Sequence, residues 1–189
     1  MALTATAQAL EANSARPLDL VEVVTWSTDQ VEEAMLTSPP PDLDELLGWE
    51  FYGYNLPDFT SLLGIRKFMK GFLPGEGEEL LRGYNLRVRP RGGPLDPWDV
   101  VRARSGAPLR HGFFNVVAPS PPDDLYPQSL LINYDCGRNP AWDPSGRLRD
   151  YLVALGPDTL LGKAYLALGS RRVPVSAFVL QRAGQAPGH

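Results

Sequence analysis

Glycine and proline interrupt this chain so often that few stretches can hold one backbone conformation for long. The 189 residues include 18 glycines and 19 prolines, about a fifth of the chain where an ordinary protein has about 12 %. Proline withholds an amide donor and fixes φ, and glycine supplies the turn conformations that other residues avoid. Yet 43 % of the residues are apolar and 10 % aromatic, enough for a packed core and too many for a disordered chain. Frequent breaks within a core-forming sequence imply many turns joining short strands.

The position of the breaks counts the strands. They fall at Pro39-Pro40-Pro41, Pro57-Asp58, Pro74-Gly75, 89–94, Ser105-Gly106, 119–122, 137–146, Gly156-Pro157 and Gly169-Ser170. Between them lie strand candidates at Trp49–Asn55, Leu80–Val88, Trp98–Arg104, Leu109–Val117, Gln128–Asp135, Leu148–Leu155, Leu160–Leu168 and Val173–Gln181. Eight strands with short links predict a mainly β fold, an antiparallel up-and-down barrel of about eight strands. Closure would remove the exposed sheet edges; a two-sheet sandwich is the rival arrangement.

Four segments follow from texture. Residues 1–16 form a loose arm and 17–47 an acidic helical segment. Within it, Thr28 or Asp29 caps one helix, the triproline ends it, and Asp42 caps a second, Leu43 to Leu47. Residues 48–183 make the barrel domain, and 184–189 a tail. Phe59, Leu62, Leu63, Ile65, Phe68, Met69 and Phe72 follow helical spacing, which predicts a helix over 58–72 lying across one mouth as a lid. Gly-Tyr-Asn-Leu occurs at 53–56 and again at 83–86; with no other similarity at that offset, it reads as chance or as two similar barrel strands rather than as an internal duplication.

Bulk numbers exclude several classes. One cysteine, Cys136, rules out an internal disulfide and a multi-cysteine metal cluster. No apolar run is long enough for a membrane-spanning helix, and the first ten residues lack the basic start of a secretory signal, so cytoplasmic residence is expected. Residues 1–80 carry 14 acidic against 4 basic side chains, and 81–189 carry 8 against 14. The basic residues are scattered singly rather than clustered, so nucleic acid is not the expected partner. Self-association as a homodimer is compatible with the sequence. Fifteen of the eighteen basic residues are Arg, which reads as coding bias.

The chemistry is sparse. His111 is the sole internal histidine, and a Cys136/His111 thiol pair lacks a third, orienting group. No nucleophile elbow or phosphate loop is present. A metal site is not expected. The distinctive pattern is aromatic next to asparagine: Tyr54-Asn55, Tyr84-Asn85, Phe114-Asn115 and Asn133-Tyr134. Asparagine is depleted in strands and, buried, needs several hydrogen-bond partners. These amides either orient a ligand in an aromatic cavity or bond their own turns. Arg66, Lys67 and Lys70 either meet an anion at a mouth or lie on the surface; Lys163 and Tyr165 either reach inward or face solvent.

The segments Leu46-Leu47-Gly48-Trp49-Glu50-Phe51-Tyr52-Gly53 and Leu62-Leu63-Gly64-Ile65-Arg66-Lys67-Phe68-Met69-Lys70-Gly71-Phe72 resemble the GXWXG-type families of uncharacterised proteins. Leu131-Ile132-Asn133-Tyr134-Asp135, Leu148-Arg149-Asp150-Tyr151 and Leu160-Leu161-Gly162-Lys163 add to the likeness. The resemblance implies a lipocalin-like barrel with a ligand cavity and no established activity. Related nitrobindin-like barrels take haem on a histidine from a late strand; here the late strands contain none, so no cofactor is expected. The expected function is binding of a hydrophobic or amphipathic small molecule. Trp49, Tyr54, Phe59, Phe68, Tyr134, Tyr151 and Tyr165 would supply apolar area, and Asn55, Asn115, Asn133 and Arg66 would set orientation. One alternative is an acid–base enzyme using Asp135 or Asp150 in the same cavity. Another is an interaction module docking through the N-terminal helices.

Overall fold

The computed structural model describes residues 19–56, 65–77 and 79–186. Among these residues three short helices come first: α1 (Leu20–Val23), α2 (Thr28–Thr37) and α3 (Leu43–Leu46). The cap of α2 is Ser27, one residue before the expected position. Its hydroxyl accepts from the Gln30 amide while the Gln30 side chain accepts from the Ser27 amide, satisfying two otherwise orphaned donors. Asp42 caps α3 by accepting from the Asp44 amide. Prolines 39–41 separate the two helices.

Eight strands follow: β1 (Trp49–Asn55), β2 (Lys67–Pro74), β3 (Leu81–Leu86), β4 (Arg110–Val117), β5 (Leu130–Asn133), β6 (Leu148–Ala154), β7 (Thr159–Leu168) and β8 (Arg171–Gln185). Each runs antiparallel to the next, and β1 pairs with both β2 and β8. The sheet therefore closes on itself, a barrel and not a sandwich.

The count of eight is met with different members. Lys67–Pro74 is a strand, not the end of a helix over 58–72; residues 57–64 lie outside the described ones. Phe68, Lys70 and Phe72 point inward, while Met69 and the backbone of Gly71 face an outer layer that contains Tyr84 and Leu86. A strand buried on both faces loses its polar–apolar alternation, and its apolar run then mimics helical spacing. Conversely, 98–104 supplies only isolated bridges, Val88 with Val100 and Arg102 with Pro108. Its Trp98 packs on the outer wall, 4.7 Å from the Tyr52 ring. β8 extends past residue 183 to Gln185.

Inward residues Phe51, Phe72, Phe114, Ile132, Leu152, Phe178 and Leu180 form one core with Leu46 of α3. A second core lies on the outer wall, where Leu20, Val23, Val31 and Met35 of α1 and α2 cover Tyr54, Tyr151, Leu161, Tyr165 and Val179. Val31 and Met35 are fully buried there, each worth about 1.5–3 kcal/mol of apolar burial. That holds α2 against the barrel.

Four strand glycines have a specific use. Gly53 pairs across the sheet with Phe68, Gly83 with Phe114, Gly162 with Phe178 and, on the outer face, Gly71 with Tyr84. A Cβ on Gly162 would meet the Phe178 ring at 2.2 Å, and one on Gly83 would meet the Phe114 ring at 2.3 Å. Each ring occupies the space that a side chain on the facing glycine would fill. The repeated Gly-Tyr-Asn-Leu is thereby explained. In β1 and β3 alike it gives an inward glycine under a ring, an outward tyrosine and a buried outward leucine.

Candidate functional site

All three lysines of the chain are buried: Lys67, Lys70 and Lys163. Lys70 is the innermost in chemical terms, because β2 alternation aims it into the barrel between Phe68 and Phe72. Its ammonium donates to Asn85 Oδ1 at 3.1 Å, to the Tyr134 hydroxyl, and to Asp150 Oδ2 at 3.1 Å. The Tyr134 hydroxyl in turn donates to Asp150 Oδ2 at 3.0 Å. The Asn85 amide donates to the Gly112 carbonyl at 3.0 Å and to the Tyr134 oxygen at 3.4 Å. Four side chains from β2, β3, the end of β5 and β6 thus converge on one point.

Local backbone makes this convergence possible. The β3–β4 register shifts between Gly83 and Asn85, and Gly112 opposite takes φ 51°. That left-handed conformation favours glycine, and a Cβ there would lie 2.7 Å from Asn85 Nδ2. The irregularity delivers the Gly112 carbonyl to Asn85.

Around the network the walls are aromatic. The Lys70 ammonium lies 5.3, 5.2, 5.0 and 5.5 Å from the ring centroids of Phe68, Phe114, Tyr134 and Phe178, within cation–π range. Burial pulls the Lys70 amine below its usual pKa range, against the opposing charge and hydrogen bond of Asp150. Burial, followed by the Asp150 charge, pushes the Tyr134 hydroxyl well above its own. Tyr134 therefore stays a donor at neutral pH.

Every donor of Lys70 and both atoms of the Asn85 amide are used. One acceptor is left over. Asp150 Oδ1 is buried and has no hydrogen-bond partner among the described residues, although the residue is only 3 % exposed. Such a group costs roughly 1–3 kcal/mol unless something donates to it.

A second lysine–tyrosine–carboxylate cluster sits on the outer wall. Lys163 of β7 pairs with Glu32 of α2 and donates to the Tyr126 hydroxyl at 2.9 Å. Tyr126 is 3.1 Å from both Glu32 oxygens, and its hydroxyl is 3.0 Å from that of Tyr165. Burial lowers the Lys163 pKa, but its bonds to Glu32 and Tyr165 outweigh burial and leave it raised. Desolvation and the bond to Tyr165 raise Tyr126. This cluster clamps α2 to the barrel.

The residues singled out in the sequence are spread over both faces. Phe68 and Tyr134 face the Lys70 network. Trp49 stands at the start of β1 with the Arg182 guanidinium 4.6 Å over its ring. Tyr54, Tyr151 and Tyr165 lie on the outer wall beneath α1 and α2. Asn115 bonds Glu79 and Arg138, and Asn133 accepts from the Asp135 amide at 2.9 Å, so both serve the outer wall or a strand end. Asn55 donates to the Ile65 carbonyl, Arg66 is exposed, and Phe59 lies outside the described residues. Asp135 is exposed and 3.8 Å from Arg149, whereas Asp150 is inside. Lys70 and Asn85 carry the network and were not placed there by sequence. Their signal was the scarcity of lysine: three lysines against fifteen arginines, two of the three on one strand.

No family model matches the chain, and no curated protein matches it. The fold does have a structural counterpart. The crystal structure of a protein from Thermomonospora curvata superposes with a TM-score of 0.50 over 93 % of this chain and 97 % of that one, at 13 % identity. That is a likeness of fold: a closed eight-stranded antiparallel barrel. Among the described residues no helix is long and apolar enough to cross a membrane.

Proposed function

We propose that this barrel binds a small amphipathic molecule at the Lys70–Tyr134–Asp150 network, as the resemblance to GXWXG-type, lipocalin-like barrels implies. One observation carries the reading: among the described residues, Asp150 Oδ1 is a buried acceptor without a donor in an otherwise saturated network. The ligand therefore brings a hydroxyl or amine to Asp150 and lays its apolar part against Phe68, Phe114 and Phe178. An apolar, aromatic lining around a single polar anchor suits such a ligand. Lys70 and Tyr134 hold the carboxylate in place and supply no selectivity for charge, because their donors are already engaged.

Native mass spectrometry and solvent extraction of the purified protein test this. A co-purifying hydroxyl- or amine-bearing compound, lost at least tenfold in Asp150→Asn, is the expected result. Retention of the same compound by a folded Asp150→Asn protein overturns it.

A catalytic use of the same carboxylate is the second reading. Lys70 and Tyr134 both donate to Oδ2, which leaves Oδ1 as the oxygen to take a proton from the ligand. Turnover of the extracted compound, abolished in Asp150→Asn, would distinguish catalysis from binding.

A further inference from the structure

On the opposite side of the wall, away from the Lys70 network, the outer faces of β2, β3 and β4 hold a concave site of about 230 Å³ lined by Leu73, Arg82, Tyr84, Arg110, Phe113 and Arg138. We propose that this groove binds a small organic anion with a flat apolar body, an aryl carboxylate or aryl phosphate ester.

Three guanidiniums converge on an apolar floor, each positioned differently. The Arg110 guanidinium stacks 4.0 Å over the Tyr84 ring, and the Tyr84 hydroxyl is fixed by donating to Glu50 at 2.7 Å. Arg138 is brought in by the loop after β5. There Asn139 accepts from the Phe113 amide at 2.7 Å and donates to the carbonyls of Phe113 and Tyr134 at 2.7 and 2.8 Å. Arg138 Nη2 then donates to the Phe114 carbonyl at 2.6 Å and to Asn115 Oδ1. Arg82 pairs through one Nη with Glu76, while its Nε is buried and has no partner among the described residues.

Glu76 pairs with Arg82, while the nearby Glu50 and Glu79 carboxylates are held by neutral donors, the Tyr84 hydroxyl and the Asn115 amide. Among the described residues, no ion pair links Arg110 or Arg138 to a carboxylate. Two guanidiniums with spare planar donors over an aromatic and aliphatic floor suit a carboxylate or phosphate joined to a ring. The volume lies below that of drug-sized sites, which limits the body to a single small ring system.

Titration calorimetry on the full chain with phenyl phosphate, benzoate, inorganic phosphate and phenol tests the proposal at fixed ionic strength. Phenyl phosphate or benzoate should bind at least tenfold more tightly than both inorganic phosphate and phenol, and the tighter of the two names the head group. Arg110→Ala/Arg138→Ala, whose side chains are exposed, should lose that binding about tenfold or more. The charge-conserving Arg110→Lys/Arg138→Lys should lose most of it, since an ammonium cannot reproduce the planar fork. Unchanged affinity in the folded double alanine variant overturns the proposal. So does phenol binding as tightly as phenyl phosphate, or no binding of either aryl anion at millimolar concentration.

Discussion

The barrel carries two lysine–tyrosine–carboxylate clusters made from nearly the same parts, and their surroundings set them apart. Lys70, Tyr134 and Asp150 lie inside, with the lysine and aspartate side chains 2 % and 4 % exposed. Lys163, Tyr126 and Glu32 lie on the wall, with the Glu32 side chain 43 % exposed. Water can replace a lost partner at the outer cluster and not at the inner one. The same chemistry is therefore a removable clamp in one place and an obligatory network in the other.

The sharpest way to break that contrast is to delete one carboxylate from each. Asp150→Ala leaves an ammonium in an aromatic interior without its counter-charge and should cost about 3–5 kcal/mol in urea unfolding. Lys70→Met/Asp150→Leu, which removes both charges, should recover most of the loss. A double variant as unstable as the single would show that packing and not the orphaned charge sets the cost.

Gly112→Ala comes next. It forces a side chain onto Asn85 at a left-handed backbone position, so a loss of about 1–3 kcal/mol is expected. A change under 0.5 kcal/mol would mean that Asn85 can move without disturbing Lys70. For the outer cluster, Glu32→Gln should cost about 1 kcal/mol or less, because the carboxylate side chain is partly open to water and the amide keeps its acceptor oxygen. Limited proteolysis of α2 should report it more sensitively than global unfolding does.

The smallest effect separates the clusters by sign. Lys70 is depressed, so below pH 10.5 the unfolded chain binds a proton that the native state resists. Its contribution to stability therefore rises with pH up to 10.5. Lys163 is raised, so its contribution is complete below pH 10.5 and is lost as pH climbs beyond it. Stability differences between the native chain and Lys70→Met or Lys163→Met, followed from pH 8 to 11.5, should drift in opposite directions. A shared direction contradicts the assignment.

Sequence made the sheet legible because glycine and proline act locally: a turn residue marks a turn wherever the chain later goes. β1, β3 and β4 to β8 all coincide with candidate strands. β2 was misread because both its faces are covered, one by the barrel interior and one by Tyr84 and its neighbours, and no alternation survives. The site was less legible for a related reason. Asn115 and Asn133 share a strand pattern with Asn85, yet only Asn85 faces inward, after a register shift opposite Gly112 that composition does not announce. Asp150 could be weighed as a candidate because it lies mid-strand between Arg149 and Tyr151. Its partner Lys70 was hidden within the misread helix.

The ring of hydrogen bonds is joined by pairing Trp49 with Gln185 and Tyr54 with Val179, residues more than about 120 positions apart. Every other seam in the barrel links sequence neighbours and can form as soon as its hairpin exists. The last junction has to wait for β8. Until then β1 and β7 are open templates, and Phe68, Lys70 and Asp150 stand in a half-pipe open to water. Loop closure over such a span costs entropy before any contact compensates for it, which places such topologies among the slow folders. Full exclusion of water from the inner charge network, whose members stand on β2 to β6, therefore requires the one seam that joins the two ends of the sheet.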